Sequence, residues 1–234
     1  MSSLKVYAWR KAGVSNFGDE MGPDILSRLG HKVERVELPS AEVVIIGSVL
    51  HHIERVRHQV VVAGAGVMHG DRTISPANMD IRLLRGTISR DQIDWSKYQN
   101  NTAEPFGASY GDPAMIAPLL YPASHRKVAK LGWVPHYIDP RNMPHADMTI
   151  NVMDSPAQVI KNITSCAYIL TSSLHALIIA QAYGIPAQRL PWHGVVGGDT
   201  KWTDYATGWA RNVELANGTV DSMTKHIYDI LEDL

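Results

Sequence analysis

The chain has 234 residues, 45% hydrophobic and 19% charged, with a formal net charge of −1 and one cysteine, Cys166. That balance excludes a disordered chain, a disulfide scaffold or Cys-rich zinc module, and the strongly basic surface of a nucleic-acid binder. No apolar run approaches the ~20 residues that span a bilayer, and residues 1–9 lack a signal-peptide layout, so a cytoplasmic globular protein without a transmembrane segment is expected.

In chain order, residues 4–9 read as a strand. Gly22-Pro23 opens a helix to Leu29, since proline suits the first helical position, and Gly30 closes it. Residues 33–38 and 42–46 read as strands, 50–58 as a helix, 59–63 and 81–84 as strands, and 89–95 as a helix. Residues 97–113 are dense in Asn, Gly, Pro and Ser and read as loops. A short helix over 113–120 follows, then a linker over 121–127.

The alternation then resumes, with strands at 131–135 and 148–152 and a helix from Ser155-Pro156 to Ser165. A strand at 168–171, a helix at 174–183 and a short strand at 187–190 follow. The last element is an amphipathic helix over 221–234, with Met223, Ile227, Ile230 and Leu231 near one face. Strands that alternate with helices and are apolar on both faces imply parallel sheets covered by helices. The expected fold class is α/β, with two Rossmann-like halves over 1–121 and 122–234.

Ligands of open parallel sheets bind beyond the carboxyl ends of the strands, so the loops there carry the candidate chemistry. In Asn16-Phe17-Gly18-Asp19-Glu20, Gly18 permits a tight backbone, and Asp19 and Glu20 are candidate hydroxyl ligands or proton acceptors. Helix capping by Asn16 and Asp19 is the competing explanation. Gly64-Ala65-Gly66-Val67-Met68-His69-Gly70 misses the dinucleotide spacing by one residue, leaving Gly64 and Gly66 as points of close backbone approach to a ligand. Arg85 and Arg90 flank a strand end and can grip a small anion with planar forks, or form ordinary ion pairs. In Thr171-Ser172-Ser173-Leu174-His175 a strand runs into a helix start, whose free N–H groups favour an anion. His175 in that first turn suits a proton donor charged when an anion is bound; a Ser172 cap with a packed His175 is the alternative. Asp112 before Pro113 reads first as a cap. His136 and Asp139 can contact a ligand or pair with each other. The histidines lack zinc-like spacing, and Cys166 reads as inert core.

Taken in order, Asn16-Phe17-Gly18-Asp19-Glu20, Ile46-Gly47-Ser48, Gly64-Ala65-Gly66, Arg85-Gly86, Gly111-Asp112-Pro113, Val134-Pro135-His136-Tyr137-Ile138-Asp139, Ser172-Ser173-Leu174-His175, Ala182-Tyr183-Gly184-Ile185-Pro186 and Lys201-Trp202-Thr203-Asp204-Tyr205 resemble the polysaccharide pyruvyl transferases. The resemblance covers about Val6 to Tyr205. It implies a glycosyltransferase-B-like fold with an interdomain cleft, acceptor side first and donor side second. It also implies transfer of a pyruvyl group from phosphoenolpyruvate onto two sugar hydroxyls, with no cofactor beyond that donor and no metal. The chain departs from the pattern at Ser173, where some members carry arginine, at Ala176, where many carry glycine, and at Thr87, where proline is common.

On that footing His175 is the general acid, Asp19 the acceptor-side ligand or base, and Arg85 with Arg90 the anion clamp, completed by Ser172 and Ser173. Lys201 reaches in from the second half, and Asn16, Gly18, Gly64, Gly66 and His136 line the substrates. Trp202 and Tyr205 stack on a sugar or pack in the core. The acceptor is a glycan or lipid-linked saccharide, and a homo-oligomer is left open. A nucleotide-sugar glycosyltransferase and a non-catalytic glycan-binding module are the alternatives, because fold alone does not fix function.

Overall fold

The computed structural model describes residues 3–10, 14–98, 109–124, 126–194, 197–215 and 220–234. The first half contains β1 (Leu4–Tyr7), α1 (Phe17–Arg28), β2 (Val33–Val36), β3 (Val43–Val44), α2 (Leu50–Ile53), β4 (Val60–Ala63), β5 (Met79–Leu84), α3 (Thr87–Asp91), β6 (Ser109–Tyr110) and α4 (Ala117–Leu120). The second contains β7 (Ala129–Val134), β8 (Met148–Thr149), α5 (Pro156–Thr164), β9 (Cys166–Thr171), α6 (Leu174–Ala182), β10 (Ala187–Arg189), α7 (Thr200–Leu215) and α8 (Val220–Glu232).

The strands form two parallel sheets, ordered β2-β1-β3-β4-β5-β6 and β10-β9-β7-β8. Parallel sheets need both faces covered, and the burial fits. One apolar cluster packs α2, the loop after β4 and one face of the first sheet around Val44, Leu50, Val62 and Leu84. The other runs from Val6, Phe17 and Ile25 through Met115 to Val134, Ile163, Ile179 and Leu231, so the two halves share one continuous core.

Three local outcomes differ from the sequence reading. Helix α1 starts at Phe17, not at Gly22-Pro23, because Asn16 caps it: its Oδ1 accepts the amides of Gly18 at 2.9 Å and Asp19 at 3.3 Å. The Phe17 amide donates to the Val152 carbonyl at 2.8 Å, which ties the helix start to the second half. Pro23 then sits inside the helix, where its missing N–H removes one internal bond. Residues 109–110, expected in a loop, form the edge strand β6; residues 99–108 of that expected loop lie outside the described residues. The helical stretch expected over 50–58 stops at Ile53.

Helix α7 had no counterpart in the sequence reading. It buries Trp202 and Tyr205 in the core, where the Tyr205 hydroxyl donates to Gln181 Oε1 at 2.7 Å. Both rings are therefore core, not sugar platforms. The last two helices return to the first half: α7 packs on α3 and β6, and α8 on β5 and the turn over 113–116. In α8, Ile227 and Leu231 are fully buried; the Met223 side chain lies outside the described residues. Among the described residues, no helix is long and apolar enough to cross a membrane.

Candidate active site

Each sheet has one place where neighbouring strands lead away in opposite directions. In the first it lies between β1 and β3, in the second between β7 and β9. Such switch points open a crevice at the carboxyl ends of the strands. The two crevices face each other across one cavity of about 370 Å³. Trp9 and Asn16 enter it after β1, and Gly47 to Val49 after β3. His136 to Ile138 enter after β7, and Ser173 to His175 after β9. Arg85, from the end of β5, and Lys201, from the first turn of α7, complete the wall.

One end of the cavity gathers Asp19, His175 and Lys201. Asp19 accepts from Asn16 Nδ2 at 2.6 Å. Burial pushes its carboxyl up to about 6, against the opposing pull of His175 and Lys201. Burial, and then the charge of Arg85, bring Lys201 down to about 8. Burial and Lys201 hold His136 down at about 4. The cleft thus carries a carboxyl and an amine that both titrate close to neutrality.

His175 is held between two walls. On one side its Nε2 lies 3.7 Å from Asp112 Oδ2, an oxygen that is buried and has no hydrogen-bond partner. On the other, a Cβ placed on Gly18 would come within 2.1 Å of its Nδ1, so only glycine lets α1 approach this ring. Asp112 does cap the turn that follows, since its Oδ1 accepts the Ala114 amide at 2.9 Å. The second oxygen is the one that matters to His175. A cap signature explained Asp112 completely in the sequence, and only the fold brings it to a histidine on α6.

Arg85 lines the cavity but is almost wholly committed. Its Nε donates to Asp204 at 2.9 Å, Nη1 to Ser48 Oγ at 2.7 Å and Nη2 to the Val67 carbonyl at 2.6 Å. It is a fixed charge, not a free fork. Asp204, fully buried, also accepts the Ser89 amide at 2.8 Å and hydroxyl at 2.6 Å.

The other expected residues divide. Asn16, His136 and Ser173 line the cavity with Asp19, Arg85, His175 and Lys201. Gly66 sits under the Arg85 guanidinium, where a Cβ would lie 2.5 Å from Cζ, and Gly64 sits against Pro113. Both are packing points behind the wall. Ser172 is turned inward: its hydroxyl donates to Asp139 at 2.6 Å and accepts the His136 amide at 2.9 Å. The cap of α6 is Ser173. Arg90 stands apart from the cavity and bonds its neighbour Asp91 at 2.6 Å. Glu20 faces Arg35. Asp139 pairs with Arg141 at 2.7 Å, not with the His136 ring. Among the described residues, no cluster of three or more His, Cys, Asp and Glu side chains could hold a metal ion.

The chain is 26% identical to the succinoglycan biosynthesis protein ExoV of Rhizobium meliloti (strain 1021) over an alignment of 231 residues. The alignment covers 87% of this chain and 64% of that protein, so the chain spans less than two thirds of its relative's length. No protein-family model matches the chain, and no solved structure matches it significantly.

Proposed function

We propose that the cleft transfers the pyruvyl group of phosphoenolpyruvate onto two hydroxyls of a glycan, giving a cyclic ketal and inorganic phosphate, in a glycosyltransferase-B-like arrangement of the two halves. The observation that carries this reading is the pairing of a histidine backed by a buried carboxylate with a near-neutral carboxyl and amine, at the facing strand ends of two parallel sheets. The relative named for succinoglycan biosynthesis supports the resemblance to the polysaccharide pyruvyl transferases.

The chemistry requires an acid, a base and an anion site. Protonated His175, oriented by Asp112, delivers its proton to the methylene carbon of the donor and leaves the adjacent carbon electrophilic. Ionised Asp19 takes the proton of the first attacking hydroxyl as the new C–O bond forms. The phosphate then leaves with its bridging oxygen. The second hydroxyl closes the ketal as its proton passes to the now neutral His175, which restores the acid, and Asp19 gives the first hydroxyl's proton to the departing phosphate. Over the cycle one hydroxyl proton ends on the new methyl group and the other on phosphate. Lys201, Arg85 and the Ser173 end of α6 face the donor's negative charges.

The test is phosphate release from phosphoenolpyruvate against a panel of galactosides and N-acetylmannosaminides, with mass detection of the ketal. His175→Ala should lower turnover ~10²–10⁴-fold with the fold intact. No ketal on any acceptor, together with no donor binding, would sink the reading; stabilisation by nucleotide sugars alone would favour a glycosyltransferase instead.

A further inference from the structure

The cavity also holds a histidine cluster, its arm on the first sheet, that the transfer chemistry above does not use. It lies at the switch point of the first sheet, where Trp9 follows β1 and His51 and His52 lie on α2, just after β3. The two imidazoles lie with ring centroids 4.0 Å apart and their planes tilted by 39°, and His69 lines the cavity beside them from the loop after β4. A three-carbon donor fills only part of a cavity of about 370 Å³, a size within the ~300–1,000 Å³ range of sites for much larger ligands.

We infer that this histidine arm is a second anion subsite, which holds a phosphate of a glycosyl phosphate or diphosphate acceptor while the catalytic end holds the donor; the inference rests on the transferase reading above. Trp9 offers the flat apolar surface that a sugar ring stacks on. Asp19 is the one carboxylate among the described residues that line the cavity, and the charges that act on His51 are all imidazole or guanidinium. The charged groups around His51 agree. Burial lowers it to about 4, and His52, Arg72, His69 and Arg55 all push in the same direction. His52 is lowered by burial and by Arg55 and Arg72. Arg72 is itself held by Glu54 at 2.5 Å, so its charge is already matched. Tyr137 and Ile138 line the same cavity from the loop after β7. The His51 ring is thus neutral near pH 7, the His52 shift runs the same way, and a phosphate entering the arm is met by rings that take up protons.

The test is a histidine-ring NMR titration of the full chain at pH 7, with sodium pyrophosphate added before and after saturation with phosphoenolpyruvate. The His51 and His52 rings should move toward the imidazolium position on pyrophosphate, and should still do so with donor bound. The double variant His51→Gln/His52→Gln should weaken pyrophosphate binding by about tenfold or more. Rings that stay put overturn the subsite, and so does an unchanged affinity in the double variant. Rings that respond to donor alone, or cease to respond once donor is bound, make the arm the donor's own phosphate site and overturn it equally. A glycan panel that yields no ketal overturns the transferase reading but leaves the ring shifts measurable, so the two failures are told apart.

Discussion

Gly18→Ala isolates the placement of His175 from every other feature of the cleft. The new methyl carbon would stand 2.1 Å from His175 Nδ1 and 2.6 Å from Cγ. Ordinary contacts need well over 3 Å, so the ring must give way by about 1 Å. It has little room, since Asp112 lies 3.7 Å beyond Nε2 and the Phe17 ring stands edge-on at 6.5 Å between centroids. A displacement of about 1 Å at a reacting group can cost ~10²-fold in rate. The fold should tolerate the change: alanine gains up to ~1 kcal/mol of helix propensity over glycine, against ~1–3 kcal/mol for crowding a packed site. The assay is phosphate release with an acceptor that gives ketal, paired with thermal melts. Turnover should fall ~10²-fold with a small change in melting temperature. A correctly folded Gly18→Ala protein that turns over within a few-fold of the parent would refute the placement of His175.

Asp112→Asn keeps the cap to Ala114, because Asn and Asp cap comparably, yet removes the charge facing His175. Turnover should fall about tenfold or more, about 1.4 kcal/mol in barrier, with a shifted pH–rate profile and a nearly unchanged melting temperature; an unmoved profile would make Asp112 a cap alone. Asp204→Ala leaves Arg85 buried and unpaired and should cost ~3–5 kcal/mol in urea unfolding; a loss below ~1 kcal/mol would show that water or relaxation replaces the pair. Asp19, raised from 3.8 to about 6, binds its proton more tightly folded than unfolded. Its contribution therefore favours the fold fully below pH ~4 and is lost as the pH rises through about 6. Asp19→Asn should flatten that fall when unfolding is measured across the window. With Lys201 at about 8, the rate should peak between about pH 6 and 8, and a flat profile would remove both groups from the chemistry.

What the sequence disclosed follows from the range of the forces involved. Strand β9 and helices α5 and α8 show their periodicity or caps locally, and they lie where those signals put them. Helix α7 does not announce itself. Its inward residues are chosen by distant partners: Asp204 by Arg85 and Ser89, and Tyr205 by Gln181. Arg85 and Arg90 look equivalent in the chain. The fold separates them, turning one under the sheet end onto Asp204 and leaving the other beside Asp91. Lys201, whose place no local signal marked, reaches the cavity as the motif order implied. Asp112 is the instructive omission: one oxygen satisfied a local rule, and the other found its partner across 63 positions of chain.

The near-zero net charge of the chain conceals how charge is arranged around the cleft. The neighbouring acids are withdrawn from it: Asp204 faces Arg85, Asp139 faces Arg141, Glu54 faces Arg72, and Asp112 stands behind His175. What remains on the wall is chiefly imidazole, from His51, His52, His69, His136 and His175, with Lys201, a neutralised Arg85 and the carboxyl of Asp19. His51 and His136, both near 4, are uncharged in the empty cavity. A permanently cationic cleft of this size would attract any polyanion and would carry the desolvation cost of its charges without a ligand. Rings such as His51 and His136, neutral near pH 7, avoid both, and would become positive when a phosphate shares a proton with them. On the transferase reading, affinity for a phosphorylated ligand should rise as the pH falls from 8 toward 6, as Lys201 gains its proton and Asp19 begins to lose its negative charge. Binding and base strength would then pull in opposite directions with pH, and the transferase reading predicts a narrow neutral optimum for turnover.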